Sequence, residues 1–274
     1  MVDYTLKDLK KTIQSLINTD NEVVFITGSF SRLGVCFKKK EPMTKTLLMD
    51  TIYDAVMEVS KNITIVVPTH TINLCNTETV FNKYTYTNMG VFSNYIIHKK
   101  HSVRSMHPFA SYTAIGKNSN KICGSEILPF PYGINSPYDN ILKLNNPIAI
   151  TIGLTPNLAC SIIHHVEANM YVPYRYIKEF YHPIELESGD IIMKNFYLHV
   201  LYKGLNEKRN LNVKAFDFFE KKNKHKIVRR AIGRNSIYCH NLKDFYDSCI
   251  ELYQSDIYTW LEDEPLNLNK PYRQ

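Results

Sequence analysis

Glycine and proline are scarce in this chain, 10 and 12 among 274 residues. That excludes a collagen-like or mucin-like protein, and a 44% hydrophobic content excludes a mostly disordered one. No stretch approaches the roughly 18 uncharged apolar residues that a membrane-spanning helix needs. The opening MVDYTLKDLKK lacks both an apolar signal core and a small-residue cleavage site. Paired cysteines are missing too: Cys36, Cys75, Cys123, Cys160, Cys239 and Cys249 contain no CxxC. Neither a disulfide framework nor a metal site is expected, and the thiols read as small buried hydrophobes. These absences leave a soluble, cytoplasmic globular protein as the expectation.

What is present begins with charge. Lys and Arg number 33 against 26 acids, a formal net charge of +7. The excess suits an anionic substrate or cofactor but is too diffuse for nucleic-acid binding. Its densest stretch, EKKNKHKIVRR from Glu220 to Arg230, has no interleaved aromatics and reads as a solvated turn. Length permits one large domain or two small ones.

Leu6, Leu9, Ile13, Leu16 and Ile17 recur at three and four residues, so residues 5–18 are expected to be an amphipathic helix. EVVFIT (Glu22–Thr27), ITIVVP (Ile63–Pro68) and PIAITIGL (Pro147–Leu154) are short apolar runs rich in β-branched residues, the pattern of buried strands. A helix is expected over 43–60, another over Asn157–Glu167, and a last one through Leu242–Tyr253. Residues 70–100 read as loops and short helices. Glu185–Lys203 fits antiparallel strands, and NLNVKAFDFF is a further strand candidate. Strand, helix, strand order predicts an α/β fold with a central, largely parallel or mixed sheet flanked by helices. The antiparallel excursion falls in the C-terminal half. No repeat or linker interrupts residues 1–274, which are expected to form a single domain.

Three stretches could carry chemistry. His164 and Glu167 are i and i+3 on a helix and share a face. A carboxylate that fixes an imidazole tautomer makes a general base, but a structural hydrogen-bonding pair is equally open. HSVRSMHP (His101–Pro108) gathers hydroxyls, a guanidinium and an imidazole, the donors that a polar or anionic ligand needs. TGSFS (Thr27–Ser31) lies where a buried strand turns, yet it has neither a dinucleotide nor a P-loop glycine pattern.

Five segments, in order, resemble the aminoglycoside 3-N-acetyltransferase family. They are ITGSFSRLG at Ile26–Gly34, Pro68-Thr69, NMGVF at Asn88–Phe92, RSMHP at Arg104–Pro108 with Ser111 and AIGK at Ala114–Lys117, and GINSPY at Gly133–Tyr138. His164 and Glu167 then fall on the family's HxxE. The resemblance covers roughly residues 5–255. It implies acetyl transfer from acetyl-coenzyme A to an amine of an aminoglycoside or related amino sugar, with His164 as base and Glu167 beside it. It also implies that Ser29, Ser31, Arg32, Arg104, Ser105, His107, Ser111, Ala114 and Gly116 face the cofactor.

The departures bear on the acceptor. Thr27-Gly28 stands where the family has His-Ser, Tyr132 where it has a cysteine, and Ala168 where it often has a second acid. No aspartate lies between Gly153 and His164. Aminoglycosides are polycations, so lost acids argue against antibiotic resistance and for an amino sugar, for instance one destined for a cell-surface polysaccharide. A non-catalytic carbohydrate- or coenzyme A-binding protein is the alternative from another class. The oligomeric state, a homodimer included, stays open.

Overall fold

The computed structural model describes residues 3–38, 41–42, 44–124, 126–159, 161–202 and 213–261. β1 (Tyr4–Thr5) leads into α1 (Leu6–Gln14) through a reciprocal cap. The Thr5 hydroxyl accepts the Asp8 N–H at 3.2 Å, and Asp8 Oδ2 accepts the Thr5 N–H at 3.0 Å. Then come β2 (Val23–Gly28), β3 (Cys36–Lys38), β4 (Glu41–Pro42), α2 (Lys45–Met57) and β5 (Thr64–Pro68). After them run α3 (Val91–Ile97), β6 (Val103–Arg104), β7 (Tyr112–Gly116), α4 (Ser119–Cys123) and α5 (Pro137–Leu142). β8 (Ile148–Ile152) and α6 (Ile163–Asn169) precede a long hairpin, β9 (Arg175–Glu185) and β10 (Ile191–Leu201). α7 (Val213–Asn223), β11 (Val228–Ile232), β12 (Asn235–Asn241) and α8 (Leu242–Ser255) complete the order.

The main sheet has seven strands in the order β11-β12-β8-β2-β5-β7-β6. Its middle, β8-β2-β5, is parallel, and antiparallel pairs extend both sides. Strand alternation explains why the three apolar runs are continuous. Val23 and Phe25 point into one core with α5, α6 and α8, while Val24 and Ile26 point into the other with α1 and α2. Helices therefore cover both faces, and the expected three-layer α/β fold is what the chain adopts. The β9–β10 hairpin is the antiparallel excursion; its inner face packs Phe180, Ile184 and Phe196 on Leu74, Phe81 and Phe109.

Four local expectations differ. NLNVKAFDFF contains a helix from Val213, because Ala215, Phe216 and Phe219 are buried at helical spacing; residues 210–212 lie outside the described residues. The first strand of the hairpin starts at Arg175, ten residues before Glu185, and Lys203 lies outside the described residues. The helix expected over Asn157–Glu167 is a single 3₁₀ turn at Pro156–Leu158 followed by α6. Leu158 is 55% exposed, so the apolar stripe starts only at Ile162 and Ile163. The basic stretch ends not in a turn but in β11, where exposed Arg229 and Arg230 charge the sheet edge.

Candidate active site

The parallel strands end at one edge, where a switch in strand direction leaves room for a ligand. β2 ends at Gly28, whose φ of +147° and contact with the Ile152 backbone exclude a side chain. A Cβ there would lie 2.2 Å from the Ile152 carbonyl oxygen. The turn that follows is tied to β8 by the Ser29 N–H donating to Ile152 O at 2.8 Å. Ser29 and Ser31 hydroxyls lie 3.2 Å apart, and Ser31 and Arg32 are exposed. β5 ends at the same edge in Thr69 and His70.

α6 carries the dyad. His164 Nδ1 lies 2.9 Å from Glu167 Oε2, one helical turn apart. The His164 side chain is 37% exposed and Glu167 is fully buried. Nδ1 therefore faces the protein, and among the described residues Nε2 has no hydrogen-bond partner. That nitrogen is available to a substrate proton.

Glu167 is held on every side. Arg175 Nε, at the start of β9, sits 2.9 Å from Oε2 as a charge contact, and the Arg175 side chain is 7% exposed. The Tyr174 hydroxyl donates to Oε1 at 2.9 Å. Tyr174 and Tyr253 oxygens are 3.1 Å apart. Because the Tyr174 proton goes to the carboxylate, the Tyr253 proton is the one shared between the two hydroxyls, which anchors the site to α8. Burial alone would raise the Glu167 pKa, but the His164 bond and the Arg175 charge prevail and hold it near 2. The carboxylate is a fixed anion.

Other aromatic and imidazole groups surround His164. The Tyr132 ring lies 5.9 Å from it, on the strand-free segment before Gly133. The His70 ring stands edge-on to Tyr112 at 4.9 Å, with Nδ1 buried and unpartnered. The Tyr138 hydroxyl and Ser161 Oγ are 2.6 Å apart beneath the helix start. His165, adjacent in sequence, points the other way. Its Nδ1 lies 3.2 Å from the Gly133 N–H donor, and its Nε2 lies 3.1 Å from Asn169 Nδ2. Burial drives the His165 pKa down to about 4, so it is a neutral core imidazole.

The RSMHP block forms a frame rather than an open loop. Arg104 Nε donates to Ser111 Oγ at 3.0 Å, Nη2 to Thr69 O at 2.6 Å and Nη1 to Thr85 O at 2.5 Å. Its guanidinium also lies over the Phe81 ring at 4.8 Å. Burial lowers the Arg104 pKa to about 9. Ser105 Oγ accepts the Tyr112 N–H at 2.9 Å, and Ser111 Oγ lies 3.2 Å from Thr69 Oγ1. His107 Nδ1 accepts from Phe109 and Ala110 N–H at 3.3 Å each, and Nε2 reaches Tyr197 O. Ser111 and Ala114 are completely buried, and Gly116 closes β7 at the opposite end of that strand. Thus His164 and Glu167 come together as expected from their spacing, and the Ser29 turn opens at the strand edge. Arg104, Ser105, His107, Ser111 and Ala114 sit inside the protein.

Tyr174 and Arg175 escaped the sequence reading. They are seven and eight residues beyond Glu167, past a turn at Pro173, and no helical spacing connects them to it. Only the way β9 folds back on α6 brings them close.

A buried carboxylate beside a half-exposed imidazole at the edge of a mixed α/β sheet is an arrangement that can exchange a proton with a ligand. A family model of aminoglycoside 3-N-acetyltransferases matches residues 25–254, and the chain belongs to that family. Three solved structures show the same fold. The apoenzyme of aminoglycoside acetyltransferase AAC(3)-IVa is 18% identical with a TM-score of 0.71, over 97% of this chain and 93% of that one. YokD protein from Bacillus subtilis is 19% identical with a TM-score of 0.73, over 94% and 96%. AAC-IIIb in its binary complex with CoASH is 15% identical with a TM-score of 0.74, over 96% and 100%. No curated protein sequence matches the chain significantly.

Proposed function

We infer that residues 1–274 form a single catalytic domain, an acetyl-coenzyme A-dependent N-acyltransferase acting in the cytoplasm on an amine of an amino sugar. One observation carries the reading: the 2.9 Å contact that holds His164 Nδ1 on a buried carboxylate and leaves Nε2 open. An ammonium cannot attack a thioester until it loses a proton. Nε2 takes that proton, and Glu167 with Arg175 behind it steadies the imidazolium that forms. The freed amine nitrogen bonds to the acyl carbon and the carbon–sulfur bond breaks; of the two protons that the original ammonium gives up, one goes to the leaving thiolate and the other to water.

Acetyl-coenzyme A supplies the activated acetyl thioester. The donor set at the strand edge suits it, since exposed Ser31 and Arg32 and half-buried Ser29 offer hydroxyls and a cation for phosphate oxygens. The family membership and the CoASH complex of AAC-IIIb support the same donor. Arg104, Ser105, His107, Ser111 and Ala114 would serve by holding Thr69 and the β5 end in place.

The acceptor follows from the missing acids. With Ala168 in place of a second carboxylate and no aspartate between Gly153 and His164, a polyammonium drug lacks its counter-charges. Each lost charged contact costs about 1.5–3 kcal/mol. The test is thiol release from acetyl-coenzyme A with a panel of aminoglycosides and simple or nucleotide-linked amino sugars. The expected result is turnover of an amino sugar and little of the drugs. Efficient turnover of the drugs, with kcat/KM above about 10⁴ M⁻¹s⁻¹, restores antibiotic resistance as the function. Donor binding with no turnover of any amine leaves a non-catalytic binding protein.

A further inference from the structure

Between α6 and the base of the β9–β10 hairpin lies a cavity. It encloses about 400 Å³ and is lined by Tyr171, Arg175, Tyr176, Ile177, His199 and Tyr202, with Val172 beneath. Among the described residues its wall holds one charged side chain, Arg175, and no acid. The cavity is therefore a poor host for an ammonium group.

Three polar atoms in that wall lack hydrogen-bond partners among the described residues, Arg175 Nε and Nη2 and His199 Nδ1, and the first of them has a charge contact only. Arg175 has committed Nε to the Glu167 charge contact and Nη1 to the His199 carbonyl at 3.2 Å, but Nη2 is buried with no acceptor. His199 Nδ1 is likewise buried without a partner. A guanidinium N–H₂ shut away from water loses hydration and gains nothing in return. Native interiors rarely leave such donors unmet, so an unmatched pair beside a cavity marks a place for an acceptor oxygen. The ring Nδ1 answers an anion in either state: as the N–H tautomer it donates directly, and protonation beside an anion adds charge. A carboxylate or phosphate offers oxygens that one guanidinium edge and one imidazole can share. The flanking tyrosines supply flat, amphipathic walls of the kind that pack on a sugar ring.

We propose that this cavity receives an anionic group, a phosphate or carboxylate, carried by the acceptor amino sugar. This rests on the acyl-transfer reading given above and deepens it: the acceptor is an acidic amino sugar, and its anion docks on Arg175 Nη2 and His199 while its amine meets His164 Nε2. Arg175 then serves both sites, one edge toward Glu167 and the other toward the acceptor.

The test uses the full chain and two probes, glucosamine 6-phosphate and glucosamine. Calorimetric titration without donor is expected to give at least about 10-fold tighter binding of the phosphorylated sugar. His199→Phe keeps the ring and removes both nitrogens, and it is expected to erase most of that preference while binding glucosamine as before. Tyr202→Trp, which narrows the cavity from its rim, is expected to weaken binding of glucosamine 6-phosphate more than that of glucosamine and covers the case in which His199→Phe fails to fold. Equal binding of the two sugars by the native protein overturns the proposal, as does an unchanged preference in the two folded variants. A third arm separates the acceptor's anion from the donor's. If His199→Phe instead raises the KM of acetyl-coenzyme A but not of phosphate-free acetyl-pantetheine, and leaves the sugar preference intact, the anion belongs to the donor and the proposal falls. A binding preference that persists without turnover of any amine sinks the acyl-transfer reading and leaves the anion site standing.

Discussion

Glu167 Oε2 stands 2.9 Å from His164 Nδ1 and also 2.9 Å from Arg175 Nε, so one carboxylate oxygen serves a half-exposed base and a buried cation together. The geometry separates two tasks. Arg175 keeps the carboxylate ionised, and the carboxylate fixes the imidazole. Truncating the base should therefore spare the fold and stop the chemistry. His164→Ala is expected to lower kcat about 100-fold or more, with donor affinity within a few-fold of native. Steady-state kinetics on the best amino-sugar acceptor checks this, and a kcat within threefold of native would remove His164 from the mechanism. His165→Ala should behave oppositely. It cuts the bonds to Gly133 and Asn169 in a buried site, so it lowers the melting temperature while folded molecules keep their kcat.

The tyrosine behind Glu167 gives a milder lesion. Tyr174→Phe deletes the donor to Oε1 and leaves Tyr253 without its neighbour's oxygen. A hydrogen bond to a buried charge contributes about 1.5–3 kcal/mol, so stability in urea should fall by that order. The dyad itself remains, and kcat should drop by less than the His164→Ala loss. A variant as stable as the native protein would mean that Tyr174 does not hold the carboxylate.

Arg104 offers a third test, because its fork closes on four backbone or hydroxyl oxygens in the interior. Arg104→Ala strands the Thr69 and Thr85 carbonyls and opens a hole over Phe81. A loss above about 3 kcal/mol is expected, the scale of a broken buried polar network. Arg104→Lys should recover less than half of it, since a single ammonium cannot reach oxygens that lie in different directions. Equal denaturation midpoints for the Lys and native forms would show that charge, not the fork, matters there.

The parts of the fold legible in the sequence are those fixed by local pattern. The runs at Val23, Thr64 and Ile148 are buried on both faces, and burial on both faces is what writes a continuous apolar string. The His164–Glu167 contact was legible because helix geometry alone sets an i, i+3 pair. β7 was not read as a strand: Tyr112–Gly116 mixes polar and apolar residues, and Thr113 is buried only because it meets Thr69 at 3.2 Å. Arg104 looked like a ligand-facing guanidinium from its polar neighbours, whereas its partners are carbonyls at positions 69, 83 and 85. Carbonyls carry no sequence signature. The Arg175 contact with Glu167 likewise depends on a chain reversal that no spacing encodes.

Acid should unfold the protein early, and the buried histidines give the reason. Burial lowers the pKa of His70 and His107 to about 3, and of His165, His199 and His240 to about 4, from the ordinary 6.5. Below pH 6.5 the unfolded chain takes up protons that the native state refuses. The stability tied to these groups is complete above that pH and is lost as pH falls toward 4. Glu167 adds to the loss only lower, between its ordinary 4.5 and its native value near 2. Each histidine changes stability by up to about 1.4 kcal/mol per pH unit, so five together approach roughly 7 kcal/mol per pH unit. Against a total stability of about 5–15 kcal/mol, that predicts unfolding near pH 5 rather than near pH 3. Urea midpoints at pH 7.5, 6 and 5 measure it, and a flat series would refute it. His240 supplies the internal control. It packs among Phe216, Phe219 and Phe245 with Nδ1 unpartnered, so a phenyl ring suits the site. His240→Phe should leave stability at pH 7.5 nearly unchanged or slightly higher and cut the pH slope by about a fifth.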